Sequence, residues 1–260
     1  LIYLFNLQCF SLEEKAFVVL IASYNNQKYV KKNIESVLEQ NYTNYRVIYI
    51  DDASKDQTLK SLIAILKEHP KKNLFSIYRN SKNVGAMQNH YTAIHSCKNE
   101  EIVVILDGDD WFYSQNTLDI LNRYYQDENV WLTWGSYIDY PSMQKGQYGE
   151  EIPNEELLQA NIRKSRWRTS HLRSFYAGLF KKIKKSDFLL NGQFFSAGCD
   201  LAEMIPMIEM ARERVRFVPE ILYVYNKSNP ISDSKVHGDN LNQVKKQIGT
   251  LSVYPRINAF

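Results

Sequence analysis

The chain has 260 residues, 44% hydrophobic and 23% charged, which is too apolar for a disordered tail and long enough for one large core or two small ones. Its 32 Lys and Arg against 29 Asp and Glu leave a net charge of +3, short of the basic excess that a general nucleic-acid or membrane coat needs. Ten Gly and seven Pro argue against collagen-like or low-complexity sequence. Cys9, Cys97 and Cys199 are far apart and show no CxxC spacing. That argues against a disulfide framework or a thiolate zinc site and fits a reducing compartment, so a cytoplasmic or cytosol-facing location is expected. The 18 Tyr in a 13% aromatic fraction suit flat or sugar-like ligands, although a Tyr-rich core explains them more simply.

In chain order, the first ten residues are apolar and carry no Met. They are too short for a secretory leader and read as an arm or the cut end of a longer polypeptide, with room for a further domain on the N-terminal side. No apolar run reaches the length of a membrane span. The run FVVLIA at 17–22 predicts a buried strand, broken by SYNN at 23–26. Tyr29, Val30, Ile34, Val37 and Leu38 then recur at helical spacing. A second strand is expected at 45–50, ending on Asp51 and Asp52, and Ser54 with Gln57 suggests a capping box for a helix at 59–69. Further on come a strand at 74–78, a helix at 85–97, a strand at 102–106 ending on DGDD at 107–110, a helix at 116–126 and a strand near 131–137.

This alternation implies βαβ units and a mostly parallel sheet, in which ligands bind beyond the carboxyl ends of the strands. Three of those ends are polar: Ser23 to Asn25, Asp51 with Asp52, and Asp107 to Asp110. Clustered carboxylates repel and call for a cation, and hard divalent ions such as Mg²⁺ or Mn²⁺ take oxygen ligands and share substrate phosphates. An isolated DGD would more often be a turn or helix cap; its place after a wholly apolar strand favours a metal clamp for a nucleotide diphosphate.

From 142 the rhythm changes. A polar stretch at 144–156 reads as a mobile loop and lid, RKSRWR at 163–168 is basic, and a helix is expected at 174–185. A helix at 201–212 contains Pro206, two short strands follow at 215–218 and 221–225, and a closing helix is expected at 240–251. The basic cluster lacks any nucleic-acid motif and reads as a solvated face, so no nucleic-acid partner is expected.

The motifs VVLIASYN at 18–25, IDDASKD at 50–56, NVG at 83–85 and ILDGDD at 105–110 occur in this order, with SVLEQ at 36–40 before the second strand. Together they resemble the nucleotide-binding half of family 2-type glycosyltransferases with the GT-A fold, closely over 17–118 and more loosely over 170–230. The resemblance implies an α/β fold with a mostly parallel sheet flanked by helices, in one GT-A domain at 17–240. A Rossmann-like nucleotide-sugar half at 17–140 would be fused to an acceptor half at 141–240, with an arm at 1–16 and a helix and tail at 241–260. It assigns Ala22, Ser23 and Tyr24 to uridine packing, Asp52 and alternatively Asp51 to the base, and Asn83 and Gly85 to the ribose and diphosphate. Asp107, Gly108 and Asp109 of the DxD-type motif would line the ribose and metal. Asp109 is the favoured ligand to Mn²⁺ or Mg²⁺, with Asp110 second and His237 completing the shell. SAGCDLAE at 196–203 resembles the motif that supplies the base, which makes Asp200 the base and Glu203 its reserve, although Cys199 replaces the usual Glu.

The implied activity is inverting transfer of a sugar from a nucleotide-diphosphate donor, UDP-sugar favoured, to a hydroxyl of a glycan, lipid or protein acceptor. The alternative is a non-catalytic nucleotide-sugar or glycan-binding module of a larger enzyme.

Overall fold

The computed structural model describes residues 12–159, 162–231, 235 and 238–260. Its centre is a sheet with the strand order β3-β2-β1-β4-β8-β6-β11-β5, and a short strand β7 adds to β6. The first four strands are β1 (Phe17–Ser23), β2 (Tyr45–Asp51), β3 (Phe75–Arg79) and β4 (Ile102–Ile105). They pair in parallel through helices α1 (Val30–Leu38), α2 (Thr58–Leu66) and α3 (Ala86–Ser96). Successive β1 residues alternate between two cores. Val18 and Leu20 join a cluster with Met87 and Ile94, whereas Phe17, Val19 and Ile21 join one with Ile34 and Leu62. Both faces of the sheet are thus covered, which is why the strand reads as an unbroken apolar run.

The second half completes the same sheet. After β5 (Trp111–Phe112) and α4 (Thr117–Tyr124) come β6 (Leu132–Tyr140), β7 (Gln144–Lys145), α5 (Asn154–Gln159) and β8 (Ser170–Tyr176). Strand β8 lies antiparallel between β4 and β6. Then follow the short α6 (Ala177–Phe180), the hairpin β9 (Leu189–Leu190) with β10 (Gln193–Phe194), and α7 (Cys199–Ala211). Strand β11 (Val215–Asn226) runs parallel to β6 and antiparallel to β5, and α8 (Gly238–Thr250) follows. Every α7 residue from Leu201 to Ala211 is buried, so a mostly apolar helix that also buries Glu203 and Glu209 lies inside the second half.

Several expectations are corrected here. The stretch at 174–185 begins as a strand and makes only a one-turn helix, because Phe175 and its neighbours pair with β4. The two strands expected at 215–225 are one, with register shifts at Val218/Ile221 and Ile221/Tyr223 that absorb Pro219 and Glu220. No capping box forms at Ser54: its hydroxyl accepts from the Asn25 N–H at 2.9 Å, and Asp56 instead accepts from the Thr58 N–H at 2.9 Å.

The stretch at 144–156 is anchored rather than a free lid. Strand β7 pairs with β6, the Trp134 indole donates to the Glu150 carbonyl at 2.8 Å, and Ile152 is buried. The basic cluster is likewise spent on ion pairs: Arg163 with Glu209, Arg166 with Glu150 and Arg168 with Glu156.

Candidate functional site

The carboxyl ends of β1, β2 and β4 meet in one cleft. Ser23 is paired with Asp51 across β1 and β2, and the Asp52 N–H donates to the Ser23 carbonyl at 2.8 Å. Asn26 Nδ2 donates to Ser23 Oγ at 3.1 Å, and Asn33 Nδ2 on α1 donates to the Asp107 and Asp110 carbonyls at 2.9 and 2.7 Å. A Cβ at Gly108 would stand 2.5 Å from Ser23 Oγ. Glycine therefore lets the β4 loop lie directly on the β1 loop, and Ala22, Ser23 and Tyr24 border that contact.

The two aspartates after β2 behave differently. Asp52 accepts from Asn80 Nδ2 at 2.7 Å, from the Val84 N–H at 2.9 Å and from the Gly85 N–H at 2.9 Å. Its carboxylate thus organises the loop that carries Asn83, which is exposed, and Gly85, whose φ of +85° suits glycine. Asp51 is fully buried, 3.3 Å from Arg79 Nε, and neither of its oxygens has a hydrogen-bond partner among the described residues. Ala53, Ser54, Lys55, Asp56, Arg79, Asn80 and Ser81 line an open cavity of about 770 Å³ beside this pair.

Within DGDD the three carboxylates also diverge. Asp110 is buried, and its oxygens accept from Tyr223 Oη at 2.6 Å and from the Asn226 N–H at 2.7 Å. Burial, then the neighbouring Asp109 and Asp107 charges, push its carboxyl well above the usual carboxylate range. Asp110 is thereby committed to β11, which weighs against it as a metal ligand. Asp109 is half-buried, and its Oδ2 accepts from Asn229 Nδ2 at 2.7 Å. Asp107 stays partly open. Burial pulls its carboxyl upward, but His171, Arg173 and His90 outweigh that and hold it below its ordinary value.

His171 stacks on Tyr223 with ring centroids 4.5 Å apart, and its Nδ1 lies 3.9 Å from Asp107 Oδ2. Burial, then the Arg173 charge, push its imidazole down to about 4, so it is neutral at neutral pH. Arg173, two residues on, is 4% exposed.

Helix α7 carries Asp200 in its first turn, within electrostatic reach of Asp107. Gly198, in the left-handed region at φ +71°, starts this helix. Burial, against the opposing pull of Arg173, raises the Asp200 carboxyl above its ordinary value. Glu203 is fully buried and pairs with His90 Nδ1 at 2.7 Å, so it is held inside the protein and is no spare base.

His237 lies outside the described residues. Among the described residues no group of three or more His, Cys, Asp or Glu side chains forms a ready metal cage. The oxygen-only donors Asp107 and Asp109 nonetheless suit a hard divalent ion that completes its shell with substrate phosphate and water. Sequence reasoning missed Asn33, Arg173, Tyr223, Asn226 and Asn229. Arg173 gave one signal, a charge inside HLRSFY, whereas Asn33 in a polar helix, Asn226 at a strand end and Asn229 in a loop gave none.

Residues 18–186 match the family described as Glycosyl transferase family 2. The chain belongs to that family. Glycosyltransferase GlyG of Streptococcus pneumoniae is 26% identical over 218 residues, covering 80% of this chain and 70% of that protein. Chondroitin synthase of Escherichia coli is 34% identical over 93 residues, 36% of this chain but only 13% of that protein. The fold of Staphylococcus aureus TarS 1–349, solved in complex with UDP-GlcNAc, is similar at a TM-score of 0.63 and 19% identity, covering 90% of this chain and 65% of that one. A Pyrobaculum calidifontis mannosyltransferase in complex with GDP-Man and Mn²⁺ is similar at a TM-score of 0.55 and 18% identity, covering 82% of this chain and 57% of that one. The chain therefore carries a family 2 glycosyltransferase domain with an α/β fold of this type, and it spans under two thirds of these two solved chains.

Proposed function

We propose that the chain is an inverting, metal-dependent glycosyltransferase that moves a sugar from a UDP-sugar to a hydroxyl acceptor. The observation that carries this reading is the meeting of two chemically different carboxylate sites at one cleft. Asp107 and Asp109 lie just beyond the end of β4, and Asp200 on α7, with a raised affinity for protons, is within electrostatic reach of Asp107. The nucleotide-sugar complexes of TarS and of the mannosyltransferase support the donor class.

In this reading Ala22, Ser23 and Tyr24 pack the uridine, Asp52 shapes the base and ribose pocket by holding Val84 and Gly85, and the buried Asp51 supports it through Arg79. Asp109, with Asp107, would hold a Mn²⁺ or Mg²⁺ ion. When bound, that ion supplies charge neutralisation for the departing diphosphate. Asp200 takes the acceptor hydroxyl proton as that oxygen attacks the anomeric carbon on the face opposite the leaving group, so the configuration inverts. A base whose proton affinity is raised toward the working pH is the more effective one, provided it is ionised there.

The test is a panel of UDP-, GDP- and dTDP-sugars assayed for transfer and hydrolysis with and without Mn²⁺. Product is expected with a UDP-sugar, lost on chelation and restored by Mn²⁺. Asp200→Asn is expected to lower turnover at least about 10²-fold, the scale of a lost general base, while UDP still binds. UDP binding without turnover of any sugar would favour a binding module; full turnover by Asp200→Asn would remove Asp200 from its role.

A further inference from the structure

Asn229 occupies a position that the proposed chemistry has not used. It follows the end of β11 and is 4% exposed, and its Nδ2 donates to Asp109 Oδ2 at 2.7 Å. That length is typical of a bond to an ionised acceptor. The same Nδ2 lies 3.4 Å from Asn26 Oδ1, and Asn229 Oδ1 accepts from the Ile231 N–H at 3.2 Å. Only the amide oxygen can accept from Ile231, so the amide hydrogens are the end that faces Asp109.

The turn that carries Asn229 is itself fastened to the DGDD loop. The Asn226 N–H donates to Asp110 Oδ1 at 2.7 Å, and Asn226 Nδ2 donates to the Asp109 carbonyl at 3.1 Å. Asn226 Oδ1 in turn accepts from the Ser228 N–H at 3.0 Å. Lys235 Nζ donates to the Lys227 and Asn229 carbonyls, each at 2.7 Å. Asn226 thus holds the backbone of Asp109, and Asn229, from the same turn, holds its side chain.

This arrangement bears on how Asp109 meets a cation. A carboxylate can offer an ion one oxygen or both. With Oδ2 bonded to an amide hydrogen, binding through both oxygens would cost that bond, whereas binding through Oδ1 keeps it. Ca²⁺ accepts one or two oxygens per carboxylate in a loose shell, while smaller Mg²⁺ demands a near-octahedral one. Hydrogen bonds to metal-ligating side chains are worth about 10–100-fold in metal affinity.

We propose that Asn229 is a positioning residue for the metal: by holding Oδ2 it presents Asp109 to the ion through one oxygen, which favours Mg²⁺ or Mn²⁺ over Ca²⁺. This rests on the reading of Asp109 as the ligand.

The experiment is calorimetric titration of the wild type, Asn229→Ala, Asn229→Asp and Asp109→Ala with Mn²⁺, Mg²⁺ and Ca²⁺ in saturating UDP. UDP titrated into chelator-treated protein gives the metal-free affinity. Asn229→Ala is expected to lose about 10–100-fold in Mn²⁺ and Mg²⁺ affinity, to lose less for Ca²⁺, and to keep its metal-free affinity for UDP. Asn229→Asp keeps an oxygen for the Ile231 N–H, and so the turn, but removes the donor to Asp109. Its preference for Mg²⁺ over Ca²⁺ should fall at least about tenfold.

Unchanged Mn²⁺ and Mg²⁺ affinity in Asn229→Ala would overturn the proposal. So would an equal loss for all three ions, or a matching loss of metal-free UDP binding, which would mark the turn as structural only. Should Asn229→Ala not fold, Asn229→Asp decides: an unchanged preference for Mg²⁺ over Ca²⁺ overturns it. Failure of the underlying reading looks different, since Asp109→Ala would then keep the metal-dependent affinity or the wild type would have none, and the proposal would fall with it.

Discussion

At the scale of single residues, DGDD shows how one acidic motif divides its labour. Asp109 and Asp110 are adjacent, yet Asp110 faces inward to Tyr223 and Asn226, whereas Asp109 sits at the cleft against Asn229. Because burial already favours the neutral form of Asp110, Asp110→Asn, which keeps one acceptor oxygen for the Asn226 N–H, should cost less stability than Asp110→Ala. Asp110→Ala should cost about 2–4 kcal/mol, since it leaves a buried hydroxyl and a buried amide without an acceptor. Asp109→Ala should change stability by less than about 1 kcal/mol, the scale of an exposed polar pair, and should abolish the Mn²⁺-dependent part of UDP binding. Thermal unfolding and calorimetric titration of the three variants check this; equal destabilisation by Asp109→Ala and Asp110→Ala would contradict the division. The motif itself was legible in the sequence because polar residues stop an apolar strand. Which carboxylate turns inward was not, because Tyr223 and Asn226 lie on β11, more than a hundred residues away.

At the scale of elements, the site depends on two loops lying in contact. An alanine at Gly108 would put its Cβ 2.5 Å from Ser23 Oγ and 2.6 Å from Ser23 Cβ, where ordinary contact needs about 3.5–4.0 Å. The β1 and β4 loops must then part by on the order of 1 Å. Overpacking of this kind costs about 1–3 kcal/mol, and the widened contact should weaken UDP binding at least about tenfold if most of that cost falls on the bound state. Adding Ser23→Gly removes the clashing side chain and should restore part of the affinity. An unchanged UDP affinity in Gly108→Ala would mean that the loops move without disturbing the nucleotide site.

The same scale explains which elements could be read in advance. Strands β1, β2 and β4 are continuous apolar runs ending on polar clusters, and each was found. The last residues of β8, from Ser174, fell within the helix expected at 174–185, where Phe175, Leu179 and Phe180 also fit helical spacing. Only the pairing of β8 with β4 and β6 decides for a strand.

At the scale of the whole molecule, the first and second halves of the chain share one sheet, since β8 from the second half sits between β4 and β6. The C-terminal residues, set apart in the sequence as a helix and tail, join the second-half core through Val244, Ile248 and Tyr254. Glu209, fully buried on α7, is held by Arg163 Nε at 2.6 Å and by the Tyr254 N–H at 3.0 Å. The Ile257 N–H donates to the Met210 carbonyl at 3.1 Å, and Phe260 packs on Trp131 and Tyr176 at centroid distances of 4.9 and 5.3 Å.

Removing residues 252–260 therefore strips α7 of one of its partners and uncovers Trp131. Losing a buried aromatic side chain alone costs about 3–5 kcal/mol, which in a chain of this size lowers the midpoint by on the order of 6–20 °C. Because α7 also carries Asp200, and Glu203 ties it to His90 on α3, the damage should not stay local. The truncated chain should melt in one transition, at the lower temperature, with UDP binding lost in the same step. Two separate transitions, with nucleotide binding surviving the first, would show instead that the halves fold as independent units.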